Sequence, residues 1–252
     1  MARNSMFLYG KNSISERVRS DPKSIKRVFV QDNFNNEYIL QSIRSKRIAI
    51  KRVSERELTR VKRADRLQGI VAEVEMFMYA PYDELLVGTK ERNLSMICLD
   101  NINDPHNLGS IIRIAACLGG FAVIIPKHNS CEVNDTVMHV ASGGENFVPV
   151  SMVNNMSTAL IKAKKAGFWI VGTVIEGGQD ICGASLPFPI CLVLGSEGKG
   201  IRHGIQKQLD LRVTLPMRGA KLSLNVAMTS AIFCHEIDKQ KSRRPSDRFT
   251  RS

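Results

Sequence analysis

The 252-residue sequence is poor in several features, and each shortage excludes a class of protein. No apolar run approaches the roughly 18 residues that a membrane-crossing helix needs. The opening MARNSMFLYG has no signal-peptide core, so the cytoplasm is the expected compartment, with no membrane contact. Cys98, Cys117, Cys131, Cys182, Cys191 and Cys234 form no CxxC pair, and the five histidines fall in no ligand-like spacing. Neither a disulfide framework nor a metal site is expected, and the thiols read as reduced, mostly buried small hydrophobes. Aromatic residues make up only 6% of the chain. The first 76 positions hold Phe7, Tyr9, Phe29, Phe34 and Tyr38, a thin set for a protein that stacks single-stranded bases. No GxGxxG follows the first strand of the second half, which weakens a dehydrogenase-like reading.

Apolar and charged residues are present in ordinary soluble proportions, with length enough for one large domain or two modest ones. The formal net charge of +12 is unevenly placed. Residues 1–80 carry 17 basic against 9 acidic side chains, and residues 91–238 carry 12 of each. The last fourteen, KQKSRRPSDRFTRS, carry six against one. Basic ends suit a polyanion, whose phosphates would supply salt-sensitive affinity, although a solvated surface is the plain alternative.

Taken in order, residues 1–77 read as a small α/β unit. Helices are predicted at 13–20, 36–44 and 54–62, and strands at 25–30, 48–53 and 67–75. Ser54, with Glu57 three residues on, forms a capping-box signature. Residues 78–91 read as a pliant linker ending in a short helix, which would let the first unit swing. Residues 92–238 alternate strands (94–99, 121–125, near 148–150, 168–173, 190–194, 211–215) with helices (108–118, 135–141, 155–166, 201–209, 223–237). That alternation predicts a parallel α/β sheet. Residues 239–252 read as a basic tail.

Three strand-to-loop-to-helix stretches stand out: ICLDNINDPHNLGSIIRIAACLGG (97–120), ICLVLGSEGKGI (190–201) and LPMRGAKLSLNVAMTSAI (215–232). In the last, Pro216 stops ladder pairing, Gly219 is expected to take a backbone conformation closed to other residues, and Ser223 is placed to cap the helix. Three such loops at one carboxyl edge predict a shared ligand crevice.

These stretches resemble the three motifs of the SpoU-type (TrmH-like) RNA ribose methyltransferases of the SPOUT superfamily. The first is matched by Asp104, Pro105, Asn107, Gly109 and Arg113. Gly195, Glu197, Gly198 and Gly200 match the second, and Pro216, Met217, Gly219, Ser223, Leu224, Asn225 and Val226 the third. Ala227 departs from the pattern, since many relatives have serine there. The resemblance implies a parallel-sheet SPOUT domain whose C-terminal segment is threaded as a trefoil knot. Residues 1–77 resemble the family's ribosomal-protein-like RNA-binding domain, although Asn12 stands where relatives often carry histidine. Shape and phosphate recognition of folded RNA is the mode that this domain suggests.

By the same resemblance the cofactor is S-adenosyl-L-methionine, held by Gly195, Leu215, Leu224, Thr173, Met217 and Gly219. The catalytic group is Arg113, Asn107, Glu197, Ser223 and Asn225. A guanidinium stays protonated, so Arg113 is read as a fixed cation that orients phosphate and stabilises a developing alkoxide. Ser223 either bonds substrate phosphate or caps its helix. Glu197 either pairs with Arg113 or a partner chain, or is a turn residue. The implied activity is methylation of a ribose 2′-hydroxyl, with a guanosine of 23S ribosomal RNA preferred and the protein a homodimer. Transfer RNA is the rival substrate, and a non-catalytic RNA-binding or ribosome-assembly protein the rival class.

Overall fold

The structure, a computed structural model, describes residues 5–64, 66–88, 93–196, 198–219 and 222–243. The chain begins with β1 (Met6–Tyr9), α1 (Lys11–Ser20), β2 (Ile25–Gln31), α2 (Glu37–Ser45), β3 (Ile50–Val53), α3 (Glu55–Val61) and β4 (Ile70–Val74). The strands form one sheet in the order β1-β4-β2-β3, antiparallel except for the β2/β3 pair. The Ser54–Glu57 capping box is present and opens α3. Asn36 caps α2 by accepting from Ile39 N at 3.1 Å, and Ile39, Leu40 and Ile43 make its buried face. Strand β1 was not expected: only four residues long, it offers too little alternation to be seen in sequence.

The short helix α4 (Tyr82–Leu85) leads to β5 (Ser95–Leu99), α5 (Pro105–Leu118), β6 (Phe121–Pro126), α6 (Asp135–Ala141), β7 (Val150–Val153), α7 (Met156–Lys165), β8 (Trp169–Thr173) and β9 (Gln179–Asp180). Then follow β10 (Ile190–Leu194), α8 (His203–Gln206), β11 (Leu211–Thr214) and α9 (Val226–Ser242). The second sheet is parallel throughout, in the order β7-β6-β5-β10-β8-β11-β9. Every residue of β5, β6 and β10 is buried, which is why these strands read as unbroken apolar runs.

Several boundaries differ from expectation for local reasons. Helix α5 starts at Pro105 because proline suits the first helical position and Asp104 caps it, accepting from His106 N at 2.8 Å. Helix α8 is a single turn inside the expected 201–209. Helix α9 starts after Asn225, whose side chain accepts from Met228 N at 2.8 Å, so the cap is Asn225 and not Ser223. The same helix continues to Ser242, making residues 239–242 helical where a tail was expected; residues 244–252 lie outside the described residues.

The expected pliant linker is bonded down. Ala80 N donates to Val150 O at 2.8 Å, the Tyr79 hydroxyl accepts from Val133 N at 2.9 Å, and the Tyr82 hydroxyl donates to Ala159 O at 2.8 Å. The two sheets also dock directly through α6. Asp135 accepts from Phe7 N at 3.0 Å and pairs with Lys62 Nζ at 2.6 Å, while the Tyr9 ring stacks on His139 with centroids 4.0 Å apart. Arg17 pairs with buried Glu145 at 3.2 Å. One apolar cluster runs from Leu8 and Ile14 into Val137 and Met138.

Candidate functional site

The sheet order puts a switch point between β5 and β10. From β5 the chain turns outward toward β6, and from β10 it crosses β8 to reach β11. The loops that leave these two strand ends therefore part in opposite directions and open a crevice at the carboxyl edge.

Asp100 closes the floor of that crevice. Fully buried, it donates its amide to Leu194 O at 2.8 Å, and its carboxylate accepts from Arg202 N at 2.8 Å and Arg202 Nε at 2.7 Å. A buried carboxylate needs partners of this kind, and here they tie residues 195–202 to β5. Sequence reasoning missed both residues, although a charge at the end of the apolar run ICLD was the available signal. Across the same loop, Ser196 N donates to Gly200 O at 3.2 Å and Gly200 N to Ser196 O at 2.9 Å. A Cβ on Gly195 would lie less than 3.0 Å from the Gly200 backbone, and Gly200 itself has φ 64°. The glycines thus make the fold of the loop possible. Glu197 lies outside the described residues.

Gly219 does not take the left-handed backbone expected of it, and among the described residues beyond its chain neighbours no atom lies within 4 Å of a Cβ built on it. Around it, Leu215 packs partly against the core, whereas Met217, Leu222, Leu224 and Met228 are exposed. Ser223 is exposed, and Thr173 at the end of β8 donates its hydroxyl to Val193 O at 3.3 Å. The loop that carries Gly219 leaves β11, which β8 separates from the β10 end that the glycine-closed loop of 195–200 leaves, and it presents leucine and methionine side chains to solvent.

Arg113 stands two turns into α5 and is exposed. Gly109, one turn earlier, lets α6 approach: a Cβ there would lie 2.7 Å from Val137 O. Arg113 lines a groove of 670 Å³ between α1 and α2 on one side and α5 with residues 141–147 on the other. Among the described residues, none of the other expected site residues lines this groove. Asn107 is half-buried in the first turn of α5. Of the expected residues, Arg113 lines the groove, Thr173 and Gly195 lie at the ends of β8 and β10, and Leu215, Met217, Leu224 and Asn225 lie in the segment between β11 and α9. Glu145 beside the groove is pushed up from the usual carboxylate range by burial, against the pull of its own backbone hydrogen bond and of Arg17. Among the described residues no cluster of three His, Cys, Asp or Glu side chains is placed to hold a metal.

Comparison with known proteins finds relatives for both halves of the chain. Residues 95–235 match the model of the SpoU rRNA Methylase family, and residues 7–80 match the RNA 2′-O ribose methyltransferase substrate binding family. The 23S rRNA (guanosine-2′-O-)-methyltransferase RlmB of Ralstonia nicotianae is 35% identical over 242 residues, covering 94% of this chain and 97% of that protein. RlmB of Nitrosomonas europaea is 33% identical, covering 96% and 94%. The fold is shared with the SpoU methyltransferase AviRb from Streptomyces viridochromogenes, solved in complex with AdoMet, at TM-score 0.78 and 22% identity over 94% of this chain and 91% of that one.

Proposed function

Because the chain belongs to the SpoU family of rRNA methylases, we propose that it methylates a ribose 2′-hydroxyl of RNA, with a guanosine of 23S ribosomal RNA as the substrate. The observation that carries this reading is the collinear likeness to the Ralstonia protein across both halves, the substrate-binding half included. A single-domain enzyme would match only the second half.

The cofactor of this reading is S-adenosylmethionine, which supplies an electrophilic methyl group on a sulfonium centre. Gly195, Thr173, Leu215, Met217 and Leu224 would hold it, the exposed apolar side chains against its flat and aliphatic parts. Gly219 is a neighbour in that loop without a steric demand of its own. Arg113 is the fixed cation: its charge lowers the pKa of the 2′-hydroxyl and stabilises the alkoxide as the proton leaves to solvent. Asn225 spends its side-chain oxygen on the α9 cap, leaving its amide NH₂ to position the ribose or the carboxylate end of the cofactor. Asn107, Glu197 and Ser223 complete the group, with Ser223 free of the capping duty. We read the segment from β11 through α9 as the threaded part of a trefoil knot; its support is that α9 returns to pack on α5 and bonds the 184–186 loop through Gln240. We also read the protein as a homodimer, since Met217, Leu222, Leu224 and Met228 leave apolar surface uncovered in one chain.

The test is transfer of label from S-adenosylmethionine to total RNA of a strain lacking this protein, followed by size fractionation and mass analysis of nucleosides. A 2′-O-methylated guanosine from large rRNA is expected. Label confined to the tRNA fraction would overturn the substrate, and no transfer with no cofactor binding would overturn the enzyme.

A further inference from the structure

The groove beside Arg113 holds two aromatic rings that the fold leaves in solvent. Tyr38 of α2 is 81% exposed and Phe147 is 54% exposed, and they line it from opposite halves of the chain. Other rings of the first half are taken by the core: Tyr9, Phe29 and Phe34 are buried, and Phe7 packs against the cluster of Tyr9 and Phe29.

The turn that carries Phe147 is nevertheless held firmly. Glu145 is ion-paired with Arg17, the Asn146 side chain donates to Gly143 O at 2.8 Å, and Gly143 has φ 94°. Gly144 lies so close to α5 that a Cβ on it would be 3.1 Å from Arg113 Cα. A phenyl ring fixed by its backbone yet open to water has a use beyond packing. Its face already accepts a planar group, for the Arg19 guanidinium carbon lies 5.7 Å from its centroid while Glu16 holds that guanidinium at 2.7 Å. Arg19 is paired with Glu16, which also lines the groove, so Lys46 and Arg113 supply the net positive charge that a phosphate backbone needs. Its 670 Å³ falls within the roughly 300–1,000 Å³ of small-ligand sites.

We propose that this groove is a subsite for one unpaired nucleobase of the substrate RNA, stacked on Phe147, bounded by Tyr38, and adjoining the ribose that Arg113 addresses. The inference rests on the methyltransferase reading and narrows its substrate to a nucleotide in a loop or bulge, because a base inside a duplex presents only its edges.

The experiment uses the full chain and protein-free 23S rRNA from a strain lacking this protein. Phe147→Ala lowers kcat/KM for that RNA roughly 5- to 150-fold, the range that removal of a stacking ring gives, and leaves S-adenosylmethionine affinity unchanged. Phe147→Trp restores it and Phe147→Leu does not, which separates stacking from apolar bulk. A second readout needs no turnover. Cys117 is exposed and lines the groove, whereas exposed Cys182 lies outside it. Saturating RNA then slows iodoacetamide alkylation of Cys117 and leaves Cys182 reactive. Normal kcat/KM in Phe147→Ala, with Cys117 unprotected, overturns the subsite and spares the methyltransferase. If the wild type transfers no methyl group yet RNA protects Cys117 in it and not in Phe147→Ala, the methyltransferase reading falls and the base subsite stands. No transfer and no protection removes both.

Discussion

Asp135 offers the sharpest test of how the two halves are joined. Its carboxylate is buried at the first turn of α6, accepts from Phe7 N at 3.0 Å, and pairs with Lys62 Nζ at 2.6 Å. Both partners belong to the first half of the chain. Removing one member of a buried pair costs about 3–5 kcal/mol, because the other charge is stranded. Lys62 keeps 17% of its side chain exposed and can turn toward water, which trims that figure. The Phe7 amide loses this acceptor as well, at roughly 1–3 kcal/mol. Asp135→Ala is therefore expected to lose about 3 kcal/mol, more than roughly a hundredfold in the folded population. Urea unfolding followed by tryptophan fluorescence and by far-ultraviolet dichroism measures it, and the cycle with Lys62→Met isolates the pair. Lys62→Met alone, which strands the carboxylate, should cost at least as much, and the double variant should recover part of the loss. If Asp135→Ala loses less than about 1 kcal/mol, or the cycle gives a coupling below about 0.5 kcal/mol, the docking is not held as described.

Three further outcomes follow from the geometry. Gly195→Ala should weaken S-adenosylmethionine binding at least about tenfold by calorimetry, since a Cβ cannot share the space of the Gly200 backbone, whereas Gly219→Ala, which meets open space, should stay within about twofold; equal effects would refute the glycine argument. Arg113→Lys should cut kcat about a hundredfold or more at unchanged cofactor affinity, because a point charge does not reproduce the guanidinium fork; near-normal turnover would show that the fork does not matter. Hydrogen bonds from Arg27 and then Ser5 lower the Glu73 carboxyl below its ordinary 4.5. Its contribution to stability is thus fully present above that value and fades as pH falls through the lowered one. The stability gap between wild type and Glu73→Gln should be flat near neutrality and close in acid, and a gap that widens in acid would reverse the sign.

The central strands were legible in the sequence because both faces of β5, β6 and β10 are buried, leaving long apolar runs between glycine loops. The motif residues were legible as a pattern but not as a geometry. Asn225 and Ser223 are both good capping types two residues apart, and propensity alone favours neither. The docking through α6 was invisible, because Asp135, His139 and Glu145 find partners 128 to 130 residues away. Phe147 was overlooked for the opposite reason: a single aromatic in a turn sets up no periodicity.

The order of strands in the second sheet also bears on how the chain reaches its folded state. The first sheet is complete once residue 74 has been made, and all its strand pairings lie within that stretch. Strand β10 sits between β5 and β8 and bonds to both, so the left and right parts of the second sheet have no shared ladder until residues 190–194 arrive. On a ribosome the first half can therefore form early and wait, while β5 lacks its second neighbour from residue 99 until residue 190 has been made. Contacts of such long sequence separation make folding of the second half the slow step, and that interval is when the chain is most exposed to aggregation and to chaperones.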